Sequence, residues 1–289
     1  MSVPYSVAQP QPQNTSFVEK VDFKATGAAD AFCRSLKQTG FAVLENTPIE
    51  KSLIDDVLAN WQRFFRDTPV DQKMSYLHGK QTQTGYFPFK AENAKDQGTA
   101  DLKEFFHLYN YTDIPAGHLP EPLKTAQLIF EMKNLGLRLL GYIAEDINDP
   151  SVLQTAIEGN QTLFRTIYYP ALQPGQEAQG VRAAAHEDIN LITVLPAASD
   201  AGLEVKDAQG NWHEVNYQEG DIIINVGDML QMLTDKEYIS TTHRVQNPAD
   251  LTRDRVSMPM FIHPDPSYNL GPMTSAQYLD QRLKEIGLK

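Results

Sequence analysis

Apolar positions recur at three- and four-residue steps through the first half of the chain and at two-residue or continuous spacing through the second. Asp30 to Gln38 sets Phe32, Cys33 and Leu36 on one helical face. Gly40 is a stop signal, and Phe41 to Glu45 reads as a short strand. A second helix is expected from Glu50 to about Arg66, with Leu53, Val57, Leu58, Trp61 and Phe64 or Phe65 as its buried stripe. A third runs from Pro122 to about Asp146 and carries Leu128, Met132, Leu135, Leu139 and Ile143. Residues 67 to 120 show no sustained period and read as irregular. Within them, Gly85 to Lys90 and Asp101 to His107 mix aromatic and charged residues, as loops bordering sites often do.

From about Leu163 the period shortens. Phe164 to Tyr169 is β-branched and aromatic, and Ile189 to Leu195 is nearly all apolar, as in a strand covered on both faces. Leu203 to Val205 and Trp212 to Val215 flank a turn ending at Gly210. Asp221 to Val226, Thr241 to Val245 and Arg255 to Ile262 complete the strands, and Ser275 to Ile286 reads as a closing helix. Strands at this spacing predict a sandwich or jelly roll, mainly β with flanking helices. We divide the chain into a Pro- and Gln-rich disordered lead-in (1–13), a mostly helical N-terminal region (14–150) and a β core with its C-terminal helix (151–289), forming one integrated unit.

Composition narrows the partners. Asp and Glu number 37 against 25 Lys and Arg, a net charge of −12. No basic stripe is present to neutralise phosphates, which argues against nucleic acid and against an acidic membrane surface. No apolar run is long enough for a membrane span, and the first residues lack the pattern of a secretory signal. The one cysteine, Cys33, allows no internal disulfide and reads as a buried hydrophobe. These features lead us to expect a cytoplasmic protein with a small-molecule partner.

His186-Glu187-Asp188 is the sharpest local feature. On extended backbone, residues two apart share a face at roughly 7 Å, so an imidazole and a carboxylate there can grip one metal ion. His243, in a predicted strand, supplies a third ligand. Two histidines and one carboxylate match the facial triad of non-haem Fe(II) oxygenases, which leaves positions open for a chelating cosubstrate and O2. Zinc favours a more closed tetrahedral set. The remaining histidines, His78, His107, His118, His213 and His263, read as surface or packing residues. Arg255 and Ser257, again two apart, place a guanidinium and a hydroxyl on one face, a fork for a carboxylate. Lys90, Lys103 and Arg165 could serve an acidic substrate but read first as solvated surface charge.

The order His-x-Asp, His, Arg-x-Ser resembles the isopenicillin N synthase-like family of Fe(II)/2-oxoglutarate-dependent oxygenases. The resembling stretches are Ala185 to Leu195, Asn225 to Gln231, Thr242 to Val245, Arg255 to Pro259 and Phe164 to Pro170. The resemblance implies a double-stranded β-helix, with His186, Asp188 and His243 as iron ligands. It implies that Arg255 and Ser257 bind the far carboxylate of 2-oxoglutarate with Tyr169 as helper, and that decarboxylation of 2-oxoglutarate with O2 is coupled to oxidation of an unactivated C–H bond. Members from plants often carry Asn where this chain has Ile167. Two alternatives stay open here. One is an oxidase like isopenicillin N synthase, in which the Arg-x-Ser pair holds a substrate carboxylate and 2-oxoglutarate is not used. The other is a jelly-roll binding module without turnover. A substrate pocket is expected between the Tyr86–His107 segment, the strand end near Phe261 and the C-terminal helix.

Overall fold

The computed structural model describes residues 16–77, 83–92, 101–172, 182–199, 202–247, 250 and 252–288. The lead-in 1–13, His78 and the middle of the Tyr86–His107 segment (93–100) lie outside the described residues.

Two sheets form the centre. Strands β1 (Lys20–Asp22), β2 (Phe41–Glu45), β3 (Gly85–Phe87), β4 (Glu104–Leu108), β5 (Thr162–Tyr169), β7 (Ile192–Pro196), β10 (Ile222–Val226), β12 (Arg255–Ser257) and β13 (Met260–Ile262) make the larger. Its order is β1-β2-β10-β7-β13-β5-β4-β3, with β12 also on β5. The smaller sheet runs β6 (Ala183–His186), β11 (His243–Val245), β8 (Leu203–Lys206), β9 (Trp212–Glu214). Phe41, Val43 and Ile223 of the larger sheet pack against Leu203 and Val205 of the smaller one and Val215 just beyond it, so the sheets face each other. This is the double-stranded β-helix that the strand spacing and the resemblance led us to expect.

Helices cover the other face of the larger sheet. Helix α1 (Ala28–Thr39), α2 (Lys51–Asp67) and α4 (Pro122–Asp146) bury Phe32, Leu36, Val57, Trp61, Leu135 and Leu139 against Leu44, Val194, Ile224 and Ile262. These are the apolar stripes read from the sequence, and each helix falls within a few residues of its expected bounds. Gly40 ends α1 in the left-handed region, at φ 73°. A Cβ there would lie 2.4 Å from Thr241 Oγ1, so glycine serves both the turn and a close approach.

Several expectations need correction. The span 67–120 is not irregular throughout: it contains α3 (Val70–Met74) and the β3–β4 pair, which extends the larger sheet beyond β5. Buried Lys73 ties the two together, with Nζ 2.8 Å from Glu104 Oε2 and 2.9 Å from the Phe65 carbonyl. Strand β4 is buried along its whole length, so the alternation that would mark a strand is missing. A further helix, α5 (Ser151–Gly159), was not anticipated. The strand expected over Arg255 to Ile262 is broken at Met258 and Pro259 into β12 and β13. There the Pro259 carbonyl accepts from the Arg165 N–H. The strand expected from Ile189 begins only at Ile192.

Candidate functional site

Strand β6 ends at His186, and β11 begins at His243. The two are paired across the antiparallel ladder, which sets their rings 4.3 Å apart between centroids. Asp188 lies two residues beyond the end of β6, outside the strand in which the sequence placed it, and the chain bends at Ile189 and Asn190 just after it. Its Oδ1 sits 3.7 Å from His186 Nε2 and 3.8 Å from His243 Nε2. One ligand atom from each of the three residues lies within 4.8 Å of the others.

The remaining polar atoms of the three side chains are engaged elsewhere. His186 Nδ1 is 2.8 Å from the Ala184 carbonyl and His243 Nδ1 is 3.1 Å from the Thr241 carbonyl. Only a protonated Nδ1 can donate to a carbonyl, so both rings turn a bare Nε2 inward. Asp188 Oδ2 accepts from the Thr193 hydroxyl at 2.5 Å and from the Asn225 amide at 2.8 Å, which leaves Oδ1 facing the imidazoles. Thr193 and Asn225 come from β7 and β10, adjacent in the larger sheet. The larger sheet thus orients a carboxylate whose partner imidazoles ride on the smaller one.

Electrostatics agree with this geometry. Burial, with His186 alongside, pushes the His243 imidazole down to about 4. Burial pushes the Asp188 carboxyl upward, but His243, His186 and the two hydrogen bonds outweigh it and hold it below the usual carboxylate range. At neutral pH His243 is therefore a neutral imidazole beside an ionised Asp188, the form that binds a cation. Such a set suits a divalent transition metal that keeps positions open.

The triad opens into a cavity of about 210 Å3. Arg255, Ser257 and Tyr169 line the same cavity, so all six residues singled out from the sequence are brought together. Arg255 is 1% exposed, and its guanidinium lies 5.1 Å from the centroid of the Tyr169 ring. These two face each other across the β5–β12 ladder, where Ser257 is opposite Ile167. Phe261 and α6 (Ser275–Glu285), through Leu279 and Leu283, line the cavity as expected for a substrate pocket.

Two histidines set aside in the sequence also belong here. His107 and His263 are buried and line the cavity. His213 is bonded to Asp207 at 2.7 Å and stacked on Phe17, and His118 is bonded to Tyr76 and Gln72; neither lines it. Lys103 and Arg165 are not solvated surface charges. Lys103 is buried between Glu92 and Asp101, at 2.7 Å from each, and Arg165 reaches His107 and Glu92. Sequence reading missed Thr193 and Asn225, although Asn225 stood inside a stretch that carried the resemblance. An apolar strand interrupted by one buried polar residue was the available signal.

Comparison with known proteins gives the same assignment. The model of the 2OG-Fe(II) oxygenase superfamily matches residues 160–264, and that of the non-haem dioxygenase in morphine synthesis N-terminal region matches residues 20–127. A proline hydroxylase of Petromyces alliaceus is 30% identical over 279 residues, 86% of this chain and 87% of that one. Feruloyl CoA ortho-hydroxylase 1 of Arabidopsis thaliana is 26% identical over 255 residues, covering 85% of this chain and 68% of the relative. A solved Caulobacter crescentus structure, described as a 2OG-Fe(II) oxygenase family protein, superposes with a TM-score of 0.79 at 30% identity, covering 94% of this chain and 99% of that one. The chain therefore belongs to the 2OG-Fe(II) oxygenase superfamily and is an iron(II)- and 2-oxoglutarate-dependent oxygenase.

Proposed function

We propose that the chain oxidises a C–H bond of a small molecule, by hydroxylation, desaturation or ring closure, with His186, Asp188 and His243 holding the iron and Arg255 with Ser257 anchoring 2-oxoglutarate. The observation that carries this reading is the convergence of two Nε2 atoms and one Oδ1 at a cavity whose wall also bears a buried arginine. The bound iron and cosubstrate supply the oxidising chemistry. The protein's own part is positional. Ala184 and Thr241 fix the imidazole tautomers, and Thr193 and Asn225 fix the carboxylate. Arg255 presents a donor fork in a dry wall, and the Tyr169 ring under the guanidinium limits where that fork can point. The motif order supports placing the chain in the isopenicillin N synthase-like branch. The lone cysteine, Cys33, which allows no internal disulfide, supports a reducing compartment, the cytoplasm.

Arg255→Ala tests the anchor. Removing one partner of a buried charged pair costs on the order of 2–5 kcal/mol. The 2-oxoglutarate affinity should fall at least tenfold while Fe(II) affinity persists. The readout is the visible charge-transfer band of a 2-oxo acid on Fe(II) under argon. A full-strength band in Arg255→Ala would refute the anchor; no band in iron-loaded wild type would revive the oxidase that works without 2-oxoglutarate.

A further inference from the structure

Strand β5 turns Leu163, Arg165, Ile167 and Tyr169 into the cavity. The Tyr169 end belongs with Arg255. Arg165 lies four residues away, roughly 13 Å along the strand, too far for one small dicarboxylate held at Arg255 to occupy both.

The surroundings of Arg165 leave one edge of its guanidinium without a hydrogen-bond partner among the described residues. Its guanidinium lies 4.5 Å from the Phe105 ring centroid and 5.5 Å from that of Phe261. Stacked in this way, it can meet a polar partner only through its edges. Nε donates to His107 Nε2 at 2.7 Å. His107 is a neutral acceptor there, because its Nδ1 donates to the Gln83 carbonyl at 2.8 Å. Nη1 reaches the two oxygens of Glu92 only at 3.4 and 3.3 Å. Charge-assisted N–H···O bonds normally run about 2.7–2.9 Å. The close partner of Glu92 is Lys103, at 2.7 Å, and Lys103 holds Asp101 at the same distance. Lys103 therefore commands two carboxylates, while Arg165 has a loose share of one and a neutral imidazole. Among the described residues nothing is hydrogen-bonded to Nη2. The same cavity carries an apolar lining in Leu163, Phe261, Leu279 and Leu283, with the Phe261 ring beside the guanidinium itself.

We propose that Arg165 is the specificity-determining residue for a substrate that carries a carboxylate on an apolar skeleton, which the outer edge of the guanidinium binds while the skeleton lies against Phe261, Leu279 and Leu283. This rests on the oxygenase reading of the same cavity. Neutral His107 and the distant Glu92 carboxylate hold the guanidinium in place through Nε and Nη1 without engaging its Nη2 edge, so a substrate carboxylate meets an unbonded, oriented donor edge. Without that anion, a compound of the same shape loses the charge-assisted contact and keeps only its apolar burial.

The test uses a panel of small carboxylic acids, each paired with its primary amide. These are titrated by calorimetry into protein loaded with Mn(II) and 2-oxoglutarate. In wild type the binders should be acids, at least tenfold tighter than their amides. Arg165→Gln should erase that preference and Arg165→Lys, which keeps the charge but loses the fork, should restore part of it. Amides binding as tightly as acids in wild type, or an intact preference in Arg165→Gln, would overturn the proposal. The anaerobic Fe(II)–2-oxoglutarate band, recorded on the same variants, reads the cofactor site separately and should survive Arg165→Gln. A normal band without acid preference defeats this inference alone. An acid preference without any band in wild type upholds Arg165 and defeats the cofactor reading.

Discussion

Replacing Thr193 by valine removes one hydroxyl from behind the metal triad and almost nothing else. Thr193 is 2% exposed, and valine fills nearly the same volume. The hydroxyl donates its one proton to Asp188 Oδ2 at 2.5 Å and accepts from the Asn190 amide at 3.0 Å. Asn190 keeps a second partner, the Ile192 carbonyl at 2.8 Å, so the loss falls on Asp188. Among the described residues, the carboxylate then keeps the Asn225 amide as its one remaining donor on Oδ2. A hydrogen bond to a charged acceptor is worth about 1.5–3 kcal/mol, but part of that is lost with and without metal. The differential effect on metal binding should match other changes behind a ligand, about 10- to 100-fold in affinity, or roughly 1.4–2.7 kcal/mol. Anaerobic calorimetry with Mn(II) or Fe(II) reads this directly. Thr193→Ser keeps the hydroxyl and should bind like wild type. If valine and serine variants both bind like wild type, Oδ2 needs no donor from Thr193 and the orienting role is wrong.

Two further expectations concern stability. Burial holds the His263 imidazole down at about 4 against an ordinary 6.5, so between those values the unfolded chain takes a proton that the folded one refuses. Stability should be full above pH 6.5 and fall as the pH drops towards 4; His263→Gln should remove about 2 kcal/mol of the wild-type loss between pH 7 and pH 5 in urea unfolding, and an unchanged slope would contradict it. Gly40→Ala should destabilise by about 1–3 kcal/mol, because φ is 73° and the new Cβ would press on Thr241 Oγ1 and the Ile239 carbonyl. It should also weaken Mn(II) binding, since the Thr241 carbonyl steadies His243; unchanged affinity in the folded variant would separate the turn from the site.

The legible parts of this molecule are those where local pattern and tertiary role coincide. Helices α1, α2 and α4 announce themselves because each buries one stripe and solvates the other. The triad and Arg-x-Ser are legible as spacing, and the resemblance fixes their order. What escapes is what depends on two distant segments. Strand β4 packs Phe106 against Trp61 and Phe64 of α2 on one face and buries Phe105 against Phe87 on the other, so its five residues show no alternation. Lys103 and Arg165 look like surface charges until the loop residues Glu92 and Asp101 and the β4 residue His107 close around them. Thr193 and Asn225 look like stray polar residues in apolar strands until Asp188 is placed over them.

Strand β2, near the start of the chain, is inserted between β1 and β10, and that position governs biosynthesis. Residues 41–45 find their antiparallel partner, residues 222–226, only after most of the chain has left the ribosome. Until then α1 and α2 have no completed sheet to cover, and their apolar stripes and the open edge of β2 are exposed to whatever else is in solution. Closing so long a loop is slow compared with local helix formation. Asn225 enters with β10, and His243 follows it, so the metal centre is among the last features to assemble and apolar surface stays uncovered late into synthesis.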